Sequence, residues 1–538
     1  MEQSNLEQVK QSLIDDINQR MTDKIIEPTN AELLIKLITN ADNTTEALAI
    51  AELGTTYRKT GFHFDKRLEA TMGSDIKYLR KNTDFSFSDG SEYKNSLIVG
   101  DNYDALLNLL ITHKGAIDMI YIDPPYGSDS MGNFAETNYT NAITRDNLLS
   151  MLYPRLILAK QLLSDTGTIF CSIDDKNHAY VKCLFDDVFA ESNFLGNIVW
   201  GKKRKGSFLS KNVVSLTEHI LAYSKSSDNF KGLFGGVADE SESQPIIKRT
   251  NAVKVLKINA NLVATKLKDG VYKAGVYGND VNPVKLINDV MVKNGLIVND
   301  FEIEGPFIWS QEMLNQELSK GTRLVINTLN FQIRAFRVAD DDKFKGLASY
   351  INGIEIKGTN EDAYEELQSL FNSKVFDYSK PVNLMKKLLN AATHFNKSAV
   401  VLDFFAGSGT TGQAVLELNK EDGGNRQFIL CTNNEMTDVN PNGIAYDVTA
   451  KRLKRVMTGQ CYDDTNDFEW IKKNDALGGS LDVYDIETVN NAEQGDGKSP
   501  FDVIDETCYG REKFTNPAEK IAWVCSNFEK TQQYLKEE

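Results

Sequence analysis

The chain has 538 residues, 41% hydrophobic and 25% charged, which is typical of a globular protein and too long for a single core, so three or four domains are expected. A net charge of −16 argues against a uniformly basic nucleic-acid surface, although salt screens charges beyond about 10 Å and local basic patches still count. No apolar run reaches the ~18 residues of a membrane span. The six cysteines form no C-x-x-C pair. This spacing argues against a zinc site or a disulfide framework and predicts a cytoplasmic protein.

Helical periodicity dominates the first 60 residues, for example in "AELLIKLITNA". From "NSLIVGDNYDALLNLL" (95–110) onward, strand, turn and helix alternate up to about residue 225. Such alternation predicts an α/β fold with a doubly wound, mostly parallel sheet.

The pattern changes after residue 225. A linker-like stretch, "GGVADESESQP", precedes short β-rich runs. Residues 246–293 contain nine Lys or Arg and three Asp. The α/β pattern returns at "SKPVNLMKKLLNAA" (379–392). The predicted division is an N-terminal helical segment (1–60), a core in two parts (61–225 and 373–460), an inserted domain (226–372) and a C-terminal domain for dimer or partner contacts (461–538).

The stretch "YIDPPYG" (121–127) ends a predicted buried strand with a carboxylate, two prolines and an aromatic ring. Proline cannot donate to a strand ladder, so Pro-Pro by itself also fits a plain exit from strand to loop. Asp123, Pro124, Pro125 and Tyr126 are therefore candidates whose role depends on the rest of the chain.

A strand, a small-residue turn and a helix are predicted in "VVLDFFAGSGTTGQAVLEL" (400–418). Gly407, Gly409 and Gly412 spell G-x-G-x-x-G, in which backbone can approach a ligand at a helix N-terminus. No Lys-Ser or Lys-Thr follows, so the loop is not a nucleotide-triphosphate P-loop. Glu435, after the next strand, is placed to bind ribose hydroxyls of an adenosine cofactor.

Both NAD and S-adenosylmethionine satisfy that pattern. Asp403 lies beside the loop, where a carboxylate suits a cationic ammonium better than a pyrophosphate. The loop also carries the hydroxyls of Ser408, Thr410 and Thr411 and no basic side chain. These features favour S-adenosylmethionine.

The pair "DPPY" and "DFFAGSGTT", with the glycine loop about 280 residues after the first motif, resembles the β arrangement of amino-methylating DNA methyltransferases. More closely, "LIVGDNYDALLNLLITHKGAIDMIYIDPPY" with "RLILAKQLLSDTGTIFCSIDD" resembles the modification (Mod) subunit of type III restriction-modification systems. The resemblance covers roughly residues 30–225 and 375–460. It implies a Rossmann-like methyltransferase in which the inserted domain recognises the DNA target.

The resemblance also implies roles for individual residues. Asp123 and the carbonyl of Pro124 would accept the two hydrogens of an exocyclic amine, Pro125 would help fix that carbonyl, and Tyr126 would stack on a flipped base. No metal is expected. The implied cofactor contacts are Asp403, Phe405, Gly407, Gly409, Thr410, Glu435, Lys380, Pro381 and Asp101.

Two basic stretches are candidates for DNA contacts. The run "GKKRKG" is placed for phosphates and "FQIRAFR" for bases or phosphates. Solvated faces or salt bridges explain both stretches equally well. The candidate residues are Lys202, Lys203, Arg204, Lys205, Arg334 and Arg337.

The motif begins with Asp rather than Ser, which in this family favours adenine N6 over cytosine N4. We therefore expect a site-specific adenine methyltransferase acting on double-stranded DNA as a homodimer, with a separate restriction subunit as partner. The alternatives are a stand-alone cytosine-N4 methyltransferase, a nicotinamide-dependent oxidoreductase, which would leave "DPPY" unexplained, and a non-catalytic DNA-recognition subunit.

Overall fold

Two groups of residues form separate units in the computed structural model of the chain. The larger unit comprises residues 1–232 and 348–538, and the inserted unit comprises residues 233–347. The structure describes residues 2–22, 26, 28–53, 75–91, 94–125, 144–206, 212–237, 243–278, 283–338, 344–489 and 499–528.

Helices and strands follow in chain order. The helices are α1 (Glu2–Thr22), α2 (Pro28–Thr39), α3 (Thr44–Leu53), α4 (Asn102–His113), α5 (Thr144–Leu162), α6 (His178–Phe189), α7 (Gln311–Ser319), α8 (Asn360–Phe371), α9 (Val382–Thr393), α10 (Thr410–Asp422), α11 (Lys451–Thr458), α12 (Pro500–Val503) and α13 (Pro517–Asn527). The strands from the N-terminus to the insertion are β1 (Ile76–Lys81), β2 (Lys94–Val99), β3 (Ile117–Ile122), β4 (Leu163–Ile173), β5 (Phe194–Gly201) and β6 (Thr217–Ser224). Those of the inserted unit are β7 (Phe234–Gly236), β8 (Gln244–Pro245), β9 (Lys254–Ile258), β10 (Val263–Thr265), β11 (Gly270–Tyr272), β12 (Gly275–Gly278), β13 (Pro283–Leu286), β14 (Val290–Lys293), β15 (Leu296–Ile297), β16 (Phe301–Gly305), β17 (Arg323–Ile326), β18 (Arg334–Phe336) and β19 (Lys345–Gly346). The remaining strands are β20 (Tyr350–Ile351), β21 (Val400–Asp403), β22 (Gln427–Thr432) and β23 (Ser480–Val489).

The N-terminal helices pack around a small apolar core of their own. Ile17, Ala31, Ile38 and Ala47 are buried there, and the Lys10 ammonium donates to the carbonyl of Thr39 at 3.0 Å. The segment is helical, as predicted; residues 54–60 of the predicted range lie outside the described residues.

A ten-stranded sheet forms the centre of the larger unit, in the order β1-β23-β2-β22-β21-β3-β4-β6-β5-β20. Neighbouring strands from β23 to β4 are parallel, whereas β1 and β6 run antiparallel to their neighbours and β20 is parallel to β5. The central strand β3, "IDMIYI", is buried at five of six positions, as expected for a parallel strand covered on both faces. The prediction of a doubly wound, mostly parallel sheet is confirmed.

The inserted unit is a β-rich body with its own core. It contains a seven-stranded sheet (β11-β14-β15-β10-β17-β18-β8), a four-stranded sheet (β12-β13-β16-β9) and the pair β7–β19. Its core includes the buried aromatic residues Phe301, Phe307, Trp309 and Phe331. Ser310 caps α7 by accepting a hydrogen bond from the N–H of Met313.

The predicted boundaries of the insertion, 226–372, are wider than the inserted unit. Residues 348–372 belong to the larger unit because β20 pairs with β5 and the N–H of Asn360 donates to the carbonyl of Lys202 at 2.8 Å. Both contacts are long-range, and a strand of only two residues, such as β20, leaves no periodic pattern in the sequence.

The C-terminal segment is not the separate domain that was predicted for 461–538. Strand β23 inserts between β1 and β2, and Tyr509, Trp523 and Val524 are buried in the same core as the sheet. Apolar residues on both sides of the predicted segment's polar stretch, such as Ile486 and Ile504, pack into the same core. Among the described residues, no helix is both long and apolar enough to cross a bilayer.

Tyr509 provides a test of this attachment. Its hydroxyl donates to Oδ1 of Asn108 at 2.6 Å and accepts the outward-facing N–H of Leu79, on the edge strand β1, at 2.9 Å. We expect Tyr509→Phe to lower the free energy of unfolding by about 1–3 kcal/mol, because it leaves buried polar groups unpaired. Urea denaturation measures the change, with Tyr378→Phe, at a side chain that is 90% exposed, as the control. Equal stabilities of the two variants would contradict the prediction.

Candidate active site

The two sequence motifs meet at one edge of the central sheet. Strands β3 and β21 are parallel neighbours, with Asp403 in register with Tyr121. Asp123, just beyond the end of β3, therefore follows at the same carboxyl edge, where open α/β sheets bind ligands. Pro124 is buried and Pro125 is half-buried, and Tyr126 lies outside the described residues.

Asp123 binds a buried lysine. The Nζ atom of Lys380 lies 2.9 Å from Oδ1 and 2.8 Å from Oδ2 of Asp123. The resemblance implies that Lys380 contacts the cofactor. In the structure its ammonium binds the carboxylate of the first motif, and the cofactor contact stays a prediction. This ion pair joins residues from opposite sides of the insertion.

Sequence reasoning missed Glu218, the second partner of Lys380. Oε1 of Glu218 lies 2.8 Å from Nζ of Lys380, and Oε2 lies 3.2 Å from Nζ of Lys202. Burial disfavours the lysine charge, yet Asp123 and Glu218 raise the pKa of Lys380 above its ordinary value. The available sequence signal was an acidic residue on the same face of a strand as Ile220 and Ala222, because residues two positions apart point to the same side. The structure shows that both of these residues are buried.

The glycine loop has the backbone conformation that its sequence predicts. Gly407 and Gly409 have φ of +49° and +79°, values that L side chains rarely adopt. At Gly412, a Cβ atom would lie 2.9 Å from Cδ2 of Leu453, so this glycine permits close helix packing. Helix α10 begins at Thr410, directly after Gly409.

Asp403 is a buried carboxyl at the start of this loop. Its Oδ1 accepts the N–H of Phe405 at 3.0 Å, and its Oδ2 accepts the hydroxyl of Thr411 at 2.5 Å. Burial, with a contribution from the negative charge of Asp123, raises the pKa of Asp403 to about 7. A cation beside Asp403 would offset this burial cost and favour the carboxylate.

A second group that sequence reasoning missed is the buried guanidinium of Arg452, beneath the loop. It donates to Oγ1 of Thr410 at 2.8 Å and to Oγ of Ser408 at 3.1 Å, and the hydroxyl of Ser379 lies within 3.0 Å of both oxygens. Burial lowers the pKa of Arg452 to about 10. In the sequence "KRLKRV" this arginine resembles an ordinary surface cation, and only the fold shows that it is buried.

Asp101 lies at the start of α4, close to the glycine-loop strand. It accepts the N–H of Tyr103 at 2.7 Å and pairs with Nη2 of the buried Arg155 at 3.0 Å. The neighbouring Asn102 donates to the carbonyl of Phe404 at 2.8 Å. These contacts bring Asp101 to the same sheet edge as the loop, and its adenine contact stays a prediction.

The other predicted cofactor residues are also described. Pro381 immediately precedes α9. Glu435 follows β22 by three residues and is half-buried. Phe405 is partly buried against the main core. Their contacts with a cofactor stay predictions.

The basic run at 202–205 is divided between internal and exposed positions. Lys202 pairs with Glu218, and Arg204 lies 2.5 Å from Asp362. Lys203 and Lys205 are exposed. The two exposed lysines are therefore better placed for phosphates than their neighbours.

Both arginines proposed in the insertion make contacts within the inserted unit. The Nε atom of Arg334 donates to Oγ of Ser243 at 2.8 Å. The Nε atom of Arg337 lies 3.4 Å from Glu317, and its guanidinium lies 4.9 Å from the ring centroid of Trp309. Their DNA contacts stay predictions, and a role in salt bridges fits Arg337.

Comparison with known families places the site in context. A family model described as a DNA methylase matches residues 117–441, which include both Asp123 and Asp403. A second model, described as an uncharacterised conserved protein, matches residues 10–119. Among the described residues, no cluster of side chains suited to a metal ion was found.

Three relatives show how much of the chain is shared. It is 32% identical over 374 residues to the type III restriction-modification enzyme StyLTI Mod subunit of Salmonella typhimurium, covering 64% of this chain and 53% of that subunit. It is 27% identical to the EcoPI Mod subunit of Escherichia phage P1, covering 68% and 62%. It is 29% identical to the type II methyltransferase M.KpnI of Klebsiella pneumoniae, covering 70% and 90%. The chain thus spans about half of the StyLTI subunit and most of M.KpnI.

The raised pKa of Asp403 predicts a pH dependence of stability. Between the ordinary value of 3.8 and about 7, the folded chain holds a proton that the unfolded chain has released, so this group destabilises the fold as pH rises. From about pH 5 to pH 7 we expect the stability of the wild type relative to Asp403→Asn to fall by about 2 kcal/mol. Urea denaturation of both proteins at each pH measures it. Parallel stability curves would contradict the assignment.

Proposed function

Since the chain belongs to the DNA methylase family, we propose that it transfers a methyl group from S-adenosylmethionine to an exocyclic amine of a base in double-stranded DNA. The observation that carries this proposal is the placement of Asp123 and the glycine loop at one sheet edge, through the pairing of β3 with β21. Membership of this family argues against a nicotinamide-dependent oxidoreductase.

The residues of the loop fit the cofactor. S-adenosylmethionine, when bound, supplies an electrophilic methyl group on a sulfonium centre. Asp403 would hold its ammonium, the backbone at Gly407 and Gly409 permits close approach, and Glu435 would accept hydrogen bonds from the ribose. The raised pKa of Asp403 is the property expected of a carboxyl that is completed by a cationic ligand.

Asp123 acts on the amine of the target base. An exocyclic amine is a weak nucleophile because its lone pair is delocalised into the ring. Asp123 accepts one amine hydrogen, which restores lone-pair density on the nitrogen. The nitrogen would gain the methyl group as the bond between the sulfonium sulfur and the methyl carbon breaks, which leaves a neutral thioether. The nitrogen would lose one proton, which Asp123 would accept and pass to water. Lys380 compensates the charge of Asp123 and orients it for that step.

The target base and the assembly are further parts of the proposal. The initial Asp of the motif supports adenine N6, reached by flipping the base out of the duplex, and the inserted unit supplies target recognition. Two of the relatives are named Mod subunits of type III systems, which supports a modification subunit that works in the cytoplasm with a separate restriction subunit. The homodimer rests on the family resemblance alone.

A stand-alone methyltransferase is the second candidate function. It is favoured by the match to M.KpnI, a type II methyltransferase of which the aligned region covers 90%. The chemistry at Asp123 is the same in both cases, so the two candidates differ in partner and not in reaction.

The reaction is tested in a host that lacks DNA methylation of its own. Genomic DNA from cells expressing the chain, digested to nucleosides, should contain N6-methyladenine by mass spectrometry. Asp123→Ala should reduce it by at least about 100-fold, because the proton acceptor is lost. Asp165→Ala, at a side chain that is 82% exposed, is the control and should methylate normally. N4-methylcytosine would contradict the choice of base, and unmodified DNA from the wild type would contradict the activity of the chain on its own.

Cofactor choice is tested separately by calorimetry. We expect S-adenosylmethionine to bind and NAD not to bind. Asp403→Asn should weaken S-adenosylmethionine binding by about 10-fold or more, because a buried charge-assisted contact is lost. Unchanged affinity of the variant would place the ammonium elsewhere.

A further inference from the structure

We propose that Glu218 is a positioning residue for methyl transfer, which acts by sharing the Lys380 ammonium with Asp123. This inference rests on the proposed function and adds to it a residue outside both sequence motifs. Glu218 controls how strongly Lys380 binds the carboxylate that must accept the amine proton.

The geometry uses the full donor capacity of the lysine. An ammonium has three N–H donors, and three carboxylate oxygens lie within 2.9 Å of Nζ of Lys380: two from Asp123 and Oε1 of Glu218. With one donor directed to Glu218, two N–H donors of Lys380 remain for Asp123, one for each carboxylate oxygen. Glu218 thus limits the number of hydrogen bonds that Lys380 donates to Asp123.

Charge balance points the same way. Asp123, Lys380, Glu218 and Lys202 form a chain of alternating charges with no net charge. Neutralising Glu218 would make the local charge around Asp123 more positive by one unit. That excess would make Asp123 a weaker proton acceptor and would oppose the positive charge that develops on the amine as it is methylated.

The position of Glu218 is fixed by the sheet. Glu218 is 4% exposed and pairs in register with Trp200 on β5. The indole N–H of Trp200 donates to the carbonyl of Gly358 at 2.8 Å, and Nζ of Lys380 lies 5.9 Å from the Trp200 ring centroid. Burying a carboxylate costs stability. Replacing a whole buried ion pair with apolar side chains commonly leaves the fold at least as stable. Burial alone does not separate a structural role from a positioning role, and a kinetic readout is needed to do so.

The test compares Glu218→Gln and Glu218→Asp with the wild type. For Glu218→Gln we expect kcat to fall about 10-fold with the Kd of S-adenosylmethionine unchanged. The acid limb of the kcat–pH profile should move to lower pH, because removing a negative charge makes Asp123 easier to ionise. Glu218→Asp, which keeps the charge, should restore part of kcat and return the acid limb toward its wild-type position.

The matched control is Glu506→Gln. Glu506 is also a buried glutamate, 5% exposed and 3.1 Å from the ammonium of Lys520, in the C-terminal segment. Its loss should lower stability without changing kcat or the pH profile. A wild-type kcat and acid limb in Glu218→Gln, or the same change in both glutamine variants, would overturn the inference.

A second measurement does not depend on activity. Thermal unfolding of Asp123→Asn, Glu218→Gln and the double variant forms a double-mutant cycle. Shared binding of Lys380 predicts shifts in Tm that are not additive, and additive shifts would overturn the inference. A wild type without methyl transfer would contradict the proposed function, while the cycle would still decide whether the two carboxylates share Lys380.

Discussion

The pairing of β3 with β21 is the constraint on which the site depends. Backbone hydrogen bonds set Asp403 beside Tyr121, so that two acidic residues, Asp123 and Asp403, meet at one edge of the sheet. Two carboxylates cannot both remain charged and uncompensated in a buried place. The negative charge is dealt with differently at the two residues. Asp123 binds the ammonium of Lys380, whereas Asp403 accepts hydrogen bonds and has a raised pKa. In the reaction that we propose, the first would accept a proton and the second would bind a cation.

Several cations of this acidic chain make ion pairs or hydrogen bonds inside the fold. Arg452 supports the hydroxyls of the glycine loop, Arg155 binds Asp101, and Lys202 pairs with Glu218. A basic run in the sequence is therefore not equivalent to a basic surface. In the run at 202–205, Lys202 and Arg204 form ion pairs with Glu218 and Asp362, and Lys203, Arg204 and Lys205 are exposed. Attraction to DNA phosphates would depend on such exposed cations, and it would fall with salt accordingly.

Local patterns in the sequence predicted the sheet, the glycine loop and the first motif, because each is specified by neighbouring residues. Features that depend on long-range contacts were not predictable in this way. Strand β20 is only two residues long and is defined by its pairing with β5. Strand β23 lies in the central sheet between β1 and β2, and the polar segment that follows it in the sequence does not indicate this pairing. Glu218 looked like the start of an ordinary strand, since its partner Lys380 lies on the other side of the insertion.

The ion pair between Asp123 and Lys380 also explains how an insertion is compatible with a fixed site. The two residues are 257 positions apart, and residues 233–347 between them form a unit with its own core. The entropic cost of closing a loop grows only logarithmically with length, by about 0.6 kcal/mol for each doubling. A self-folded insertion adds even less, because most of its residues are ordered by their own core. Under our proposal that the inserted unit recognises the DNA target, its length and sequence can therefore change while β3, β21 and Lys380 keep the same arrangement at the site.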